Sequence, residues 1–552
     1  MGTIIILVIV VVVLSLTVFV GLAAALGRQH ISEDYFAAGR SLPWYVVALS
    51  VAGPSLRLEM WLGLLGLTYV AGVAAAGLAW SSFIGLTVLS GVFLPYFLRK
   101  RISSPAEFLQ RRYSPATQGL FTVLAILFLV LGVLAPALYV GGWVLAEAGL
   151  HVPLSTAEGI PWVFFACVAA IAIVSSLAGV IGGSMAGAWG GAAQFLVVVV
   201  GGTIFAAVAV HDAGGLASLW EKNSPAQTSL LLSSQHGMLP WLGMLTFGLT
   251  IGFWNVAVSP LTVDRYLGAR SEWDARLGAI VGGLLLLLLP AVFVLPGLAA
   301  FGKFGPPGNT GLSPETSGMR FIEALFDRQN PLAAVGEGFV VAAILAAVMN
   351  TVAAAVHAVS TLWTMDICQA LLRRNDSESD LVARGRRSSL TTIIVAALLV
   401  PLLLAWDQGI FNLVLEVAAI IGPPAAAVFV VAFFWPSAHG RSAIATLVFG
   451  CLVGVGLWLV VALADPEVVP KWLGPVVTRA AVTGLASLVL LGLFTFIIPQ
   501  SSGELYDPDA TWSLDLATLP PHERDAGSGA GNLLFWAGLL IVASLVIWII
   551  LR

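Results

Sequence analysis

Residues 346–367 read AAVMNTVAAAVHAVSTLWTMDI, an apolar stretch that carries the polar pair Asn350–Thr351 and ends near the charged cluster at Arg373. Its apolar content and length predict a membrane-spanning helix over 335–370. Inside a bilayer only the protein itself or a bound ion can satisfy a buried hydroxyl. Thr351 at mid-membrane depth therefore has two readings. It bonds back to the carbonyl of Ala347, or it faces a cation.

Outward from this helix the same character continues. Of the 552 residues, 59% are hydrophobic and only 10% are charged, which excludes an ordinary soluble protein. Apolar runs predict spans near 3–26, 43–72, 76–98, 117–148, 158–178, 187–210, 238–263, 276–301, 335–370, 388–406, 410–434, 442–463, 474–498 and 533–551. These make about 14 transmembrane helices in an all-α polytopic membrane protein. The first lacks a charged leader and a small-residue cleavage site, so it reads as an anchor rather than a removed signal. The lipid bilayer is the expected partner. No basic patch points to nucleic acid, no obligate protein partner is evident, and no soluble domain suggests an enzyme.

Positive charge sets the expected orientation. With the N-terminus outside, the inner connections hold 17 Lys and Arg residues and the outer ones 7, with Arg57 inside the membrane, which accounts for all 25. An even number of spans returns the C-terminus outside, in a plasma or inner membrane. Cys167, Cys368 and Cys451 lie at unrelated spacings and read as core residues.

Several spans carry breaks. AGPS (52–55) interrupts the second, Ser259–Pro260 the seventh, and Gly422–Pro423–Pro424 lies in the span 410–434. Proline removes a backbone donor, so each break frees carbonyls at membrane depth. Packing kinks are one reading. Broken helices in corresponding positions of two halves are also the pattern of transporters built from inverted repeats. The outer loops 211–237 and 302–334 are the longest inserts, the second with an amphipathic stretch at 317–326. Segment 499–532 reads as a polar inner tether.

Seven strings in order resemble the sodium:solute symporter family, which includes the sodium/glucose, sodium/proline and sodium/sialic acid transporters. They are DYFAAGRSLPW (34–44), FLPYFLRKRISSPAEFLQRRY (93–113), GGSMAGAWGGAAQ (182–194), DRYLGARS (264–271), LPGLAAF (295–301), TLWTMDI (361–367) and PPAAAVFVVAFFW (423–435). The resemblance implies a LeuT-type core of two inverted five-helix repeats. The chain then divides into an N-terminal helix and inner loop (1–42), a first repeat (43–210), an outer loop (211–237) and a second repeat (238–434). Two additional helices (435–498), the polar linker (499–532) and a C-terminal helix (533–552) follow.

The same resemblance implies site residues. One sodium ion would take carbonyl oxygens from Gly53, Leu56 and Ala347 and side-chain oxygens from Asn350 and Thr351. The family usually has Ser or Thr at position 350, so Asn350 is a departure, although an amide oxygen is still a hard donor. A second sodium in some members uses an Asp at the position of Gly191, so one ion is expected. The positions matching the sugar-binding groups of relatives are Met60, Leu78, Ala79, Leu286 and Leu415, with Ser55 and Ser259 the polar survivors. Stranded sugar hydroxyls would cost ~1–3 kcal/mol each. The expected solute is therefore a small carboxylate, amino acid or other zwitterion.

Arg57 and Glu59 lie just past the first break, and Glu416 in the first turns of 410–434. Either Arg57 holds an anionic solute group by a forked hydrogen bond, or it pairs with Glu59 or Glu416 to fix helix packing. His357 shares a helix face with Asn350. It could relay a proton, as could Glu59, or sit as a satisfied core histidine. Trp254, beside the second break, is the gate candidate. The expected activity is sodium-coupled symport of a small organic solute by alternating access. Proton coupling and a transport-silent solute-binding or sensing protein are the alternatives.

Overall fold

Serine and asparagine mark where many of the helices begin. The side chains of Ser104, Ser114, Ser271, Asn330, Ser377 and Asn532 each accept a hydrogen bond from a backbone amide of the helix they precede. Those amides would otherwise lack partners at membrane depth or at its rim. The computed structural model describes residues 1–27, 31–56, 60–152, 160–234, 236–307, 314–372, 376–406, 409–465, 467–500, 511–525 and 529–551.

Among the described residues, 12 helices are long and apolar enough to cross a membrane. Two of them fold back on themselves. The 51-residue helix Trp162–Asp212 reverses at Gly183, with φ at 59°. A Cβ there would lie 2.4 Å from the Tyr35 carbonyl oxygen, so only glycine makes this turn. The stretch Trp61–Arg99 turns at Gly72, with φ at 64°. Counting each arm separately reaches the fourteen spans expected from the sequence.

In chain order they are α1 (Gly2–Ala25), α2 in two halves, α2a (Trp44–Leu56) and α2b (Trp61–Ala71), and α3 (77–99). Next come α4 (Pro115–Gly149), α5 (162–182), α6 (184–212), and α7, divided into Trp241–Val258 and Pro260–Leu267. Then follow α8 (Glu272–Phe304), α9 (Pro331–Leu371), α10 (Glu378–Leu403), α11 (Ile410–Phe434), α12 (Gly440–Leu463), α13 (Val476–Ile497) and α14 (Leu533–Ile550). The end of the bundle that carries residue 2 is termed the N-terminal face.

The helix α9 is buried almost throughout and packs most extensively on α5 and α6, with α1 against both. The half-helix α2a lies against α6, α8 and α9, while α11, α12 and α13 form a separate layer. Two departures from the sequence reading concern prolines. The helix α11 runs unbroken through Pro423 and Pro424. By contrast, α8 stops at Leu288 and restarts at Ala291 around Pro290.

At the face opposite the N-terminal one, side chains tie the connections together. Fully buried Arg112 donates to the carbonyls of Ala432 (2.8 Å), Trp435 (2.8 Å) and Ala438 (3.0 Å), closing the end of α11. The expected polar tether is docked over residues 511–525. The Trp512 amide donates to the Phe433 carbonyl at 3.0 Å. Arg99 pairs with Glu272 at 2.8 Å and donates to the Asp515 and Thr518 carbonyls. Arg276 donates to the Ala517 carbonyl at 3.0 Å. The Glu523 carboxylate accepts from the amides of Glu272 (3.2 Å) and Trp273 (2.7 Å), capping α8 from a distant part of the chain. Past this strap, α14 packs on α8.

Candidate functional site

The break in α2 is the starting point. The last described turn of α2a is Gly53–Leu56, and Gly53 is buried. The adjacent helix α9 presents Ala347, Asn350 and Thr351 on one face, spaced i, i+3, i+4. All three are buried at or below 2% exposure.

Asn350 carries an open polar atom. Its Nδ2 donates to the Gly191 carbonyl on α6 at 3.3 Å, while its Oδ1 is buried with no hydrogen-bond partner among the described residues. A Cβ on Gly191 would stand 2.5 Å from that oxygen. Glycine at 191 thus makes room for the longer amide at 350. A buried amide oxygen without a donor costs free energy that a cation would return.

A cavity of about 50 Å³ opens beside the break, between α2, α3, α7 and α11. Ser55, Met60, Ala79 and Leu415 lie on its wall, as does Leu78. The Ser55 hydroxyl is buried without a partner among the described residues. Two polar wall residues, Ser82 and Asn255, were not picked out from the sequence. Of the thirteen wall residues only Ser55, Ser82 and Asn255 are polar.

A second space, about 20 Å³, lies towards Tyr139 and Trp143 of α4. Met60 and Phe411 border both spaces, so their side chains stand between them. Gly63 permits this, since a Cβ there would be 2.8 Å from the Phe411 ring. Trp254 does not stand there. It is fully buried away from the cavity wall, edge-on to Phe121 (6.0 Å) and Phe128 (5.3 Å), with Gly422 of α11 against it. Ser259 is also fully buried off the wall, where it begins the second half of α7. Leu286 is buried outside the wall as well.

The intramembrane charges have specific partners. Arg57 and Glu59 lie outside the described residues. Glu416 pairs with Arg479 of α13, and both are buried. Arg479 also donates to the carbonyls of Leu473 (3.2 Å) and Gly474. His357 has its Nε2 at 3.1 Å from the Phe36 carbonyl and packs beside Tyr35 and Phe36. Five buried carboxylates escaped the sequence reading: Glu272, Asp274, Glu337, Asp366 and Asp264. Asp366 accepts from Ser104 (2.9 Å) and Gln118 (2.8 Å), and Asp264 lies next to Arg265 with neither oxygen hydrogen-bonded among the described residues. For Asp264 and Asp366, a place inside the family-like strings 264–271 and 361–367 was the available signal.

Comparison with known proteins places this geometry. Residues 35–450 match the profile of the sodium:solute symporter family. The sodium/glucose cotransporter of Vibrio parahaemolyticus is 28% identical over 436 residues, covering 76% of this chain and 78% of that one. Sodium/glucose cotransporter 4 of Homo sapiens is 25% identical, covering 77% of this chain and 64% of its own length. In fold, the chain is similar to a sodium-coupled sialic acid symporter in a substrate-bound, outward-open state. That similarity has a TM-score of 0.74 at 16% identity and covers 90% of this chain and 99% of the other. The nucleobase-cation-symport family transporter Mhp1 matches at a TM-score of 0.54 and 13% identity, over 87% of this chain and 98% of its own. The architecture is the LeuT fold.

Proposed function

The chain belongs to the sodium:solute symporter family, and from that premise we propose that it couples one sodium ion to the uptake of a small, non-sugar organic solute. The observation that carries this reading is the buried Asn350 oxygen, without a hydrogen-bond partner among the described residues, beside Thr351 on the helix that packs against α2a.

The ion is held by the carbonyls of Gly53, Leu56 and Ala347, the Asn350 amide oxygen and the Thr351 hydroxyl. It joins α2 to α9, and it favours whichever arrangement of the two brings those oxygens together. Ser55, in the same turn as the carbonyl ligands, reaches the solute cavity and links ion to solute. Asn255 and Ser82 supply the remaining polar contacts, and Met60 with Phe411 closes the cavity towards the N-terminal face. That face is the outer one, as the distribution of Lys and Arg favours. One ion is supported over two because the Asn350 amide already occupies the space a side chain at 191 would need.

Support for a non-sugar solute comes from the cavity wall. Three polar side chains cannot satisfy the hydroxyls of a hexose, and each one stranded costs ~1–3 kcal/mol. A carboxylate, amino acid or other zwitterion of small apolar body suits the wall better, although the relatives above carry glucose in their names.

Thermal unfolding of the purified protein tests the ion site. Sodium should raise the melting temperature of the wild type by mass action, potassium should not, and Thr351→Ala should lose the effect. Uptake into vesicles under a sodium gradient, with amino acids, carboxylates and glucose offered in turn, tests the solute class. Glucose uptake would overturn the non-sugar assignment. Absence of any sodium effect together with pH-dependent uptake would instead favour proton coupling.

A further inference from the structure

Away from the solute cavity, α6 and α8 part to leave a groove of about 640 Å³. Pro290 lies beside it, where the hydrogen-bond ladder of α8 is interrupted between Leu288 and Ala291 while Leu289 and Pro290 keep helical backbone angles. Val199, Thr203 and Ala207 line the α6 side at intervals of four residues, and Leu288 and Val292 the α8 side. Leu288 is 71% exposed, which opens the groove sideways to the surroundings of the bundle.

The volume falls within the roughly 300–1,000 Å³ of small-molecule sites. Of the fourteen lining residues only Thr203 and His211 are polar. Water filling the groove would lack the two to four polar partners an ordered water needs. An empty groove would forfeit dispersion contacts along its whole wall. Both flanking helices are membrane spans, so the phase that meets the opening is hydrocarbon.

One end of the groove is polar and lies at the N-terminal face. His211 is followed by Asp212, which pairs with Lys303 at 3.1 Å, and Lys222 donates to the Ala213 carbonyl at 2.7 Å. Lys303 also donates to the Ala324 carbonyl at 3.2 Å. An ammonium has three donors, so among the described residues both lysines keep capacity for an anionic oxygen. Asp212 and Glu221 equal the two lysines in formal charge, so the rim offers paired charges rather than a net positive one. Apolar length ending at two ammonium groups matches a glycerophospholipid, one acyl chain in the groove and its phosphate at the rim.

We propose that the groove between α6 and α8 is a phospholipid site filled from the leaflet on the N-terminal face. The occupied groove also bears on transport. Its wall residue Val292 would stand 2.7 Å from a Cβ on Gly202, and the Trp61 ring 3.1 Å from the same point. Trp61 begins α2b directly after the cavity residue Met60. A chain in the groove braces the seam that α2b packs against.

The test compares wild type, Ala207→Trp and Thr203→Phe, each reconstituted in phosphatidylglycerol and phosphatidylcholine vesicles and then extracted in mild detergent. Both substitutions fill the groove from exposed positions. Native mass spectrometry reads the retained mass. The wild type should keep one phospholipid, and each filled variant about tenfold less. Sodium-dependent stabilisation, unchanged in a variant, certifies that it is folded, and Thr203→Phe serves if Ala207→Trp does not fold. Equal phospholipid retention in wild type and a folded variant overturns the proposal. So does a wild type that keeps only detergent.

Discussion

Position 191 and position 350 act as one unit. The glycine's missing side chain is the room that the asparagine's extra length requires, so a change at either is felt at both. Gly191→Ala places a methyl 2.5 Å from Asn350 Oδ1 and forces the amide to turn. Overpacking of this kind costs about 1–3 kcal/mol. The sodium concentration needed for half-maximal thermal stabilisation should rise about tenfold. An unshifted sodium titration would remove Asn350 from the ion site. The Glu416–Arg479 pair makes a different demand. Both side chains are buried, and Arg479→Ala leaves a carboxylate uncompensated, with an expected loss of about 3–5 kcal/mol. Replacing both by apolar residues, Glu416→Leu with Arg479→Met, should recover most of that loss in the same unfolding assay.

At the scale of helices, Phe411 is the side chain that separates the two spaces near the break in α2. Phe411→Ala should join them and raise the half-saturating solute concentration several-fold, while leaving sodium-induced stabilisation in place. Whereas α2a continues as helix through Gly53 and Pro54 to Leu56, the break in α7 was legible because a Ser-Pro pair interrupts an otherwise apolar run. The break in α8 was not, since Pro290 follows an unbroken run of leucines with no turn residues beside it. Pro423 and Pro424 misled in the opposite sense. Proline is tolerated inside a membrane helix when its neighbours hold the chain in place, and Gly422 packs directly on Trp254. Five of the solute positions inferred from the resemblance (Ser55, Met60, Leu78, Ala79 and Leu415) lie on the cavity wall. Asn255 was missed because residues 254–258 form a wide π-type turn, which moves its side chain off the phase a regular helix gives. Trp254 was chosen for nearness in sequence to a break, and nearness along the chain does not decide which side of a helix faces the cavity.

For the whole molecule, the segment after α13 joins distant parts of the bundle. It reaches the end of α11 through Trp512, the end of α3 through Arg99 and the start of α8 through Glu523. Glu523→Ala removes a carboxylate from a helix N-terminus, worth about 0.3–1 kcal/mol when exposed and up to ~2 when partly buried. The global melting temperature should therefore move little. Proteolysis within 511–525 should become several-fold faster, because local opening of the strap, rather than global unfolding, governs cutting there. An unchanged cleavage rate would mean that Trp512 and Arg99 hold the strap without it.

The distance between Glu272 and its cap has a consequence for biogenesis. The two residues are 251 positions apart. At roughly 5–20 residues per second of synthesis, α8 waits roughly 10–50 s after leaving the ribosome before Glu523 exists. During that interval the amides of Glu272 and Trp273 lack the carboxylate that caps them. The start of α8 is thus capped only once the strap at 511–525 has been made. A ribosome stalled before residue 523 would display that uncapped state, with α8 still accessible to protease at its first turn.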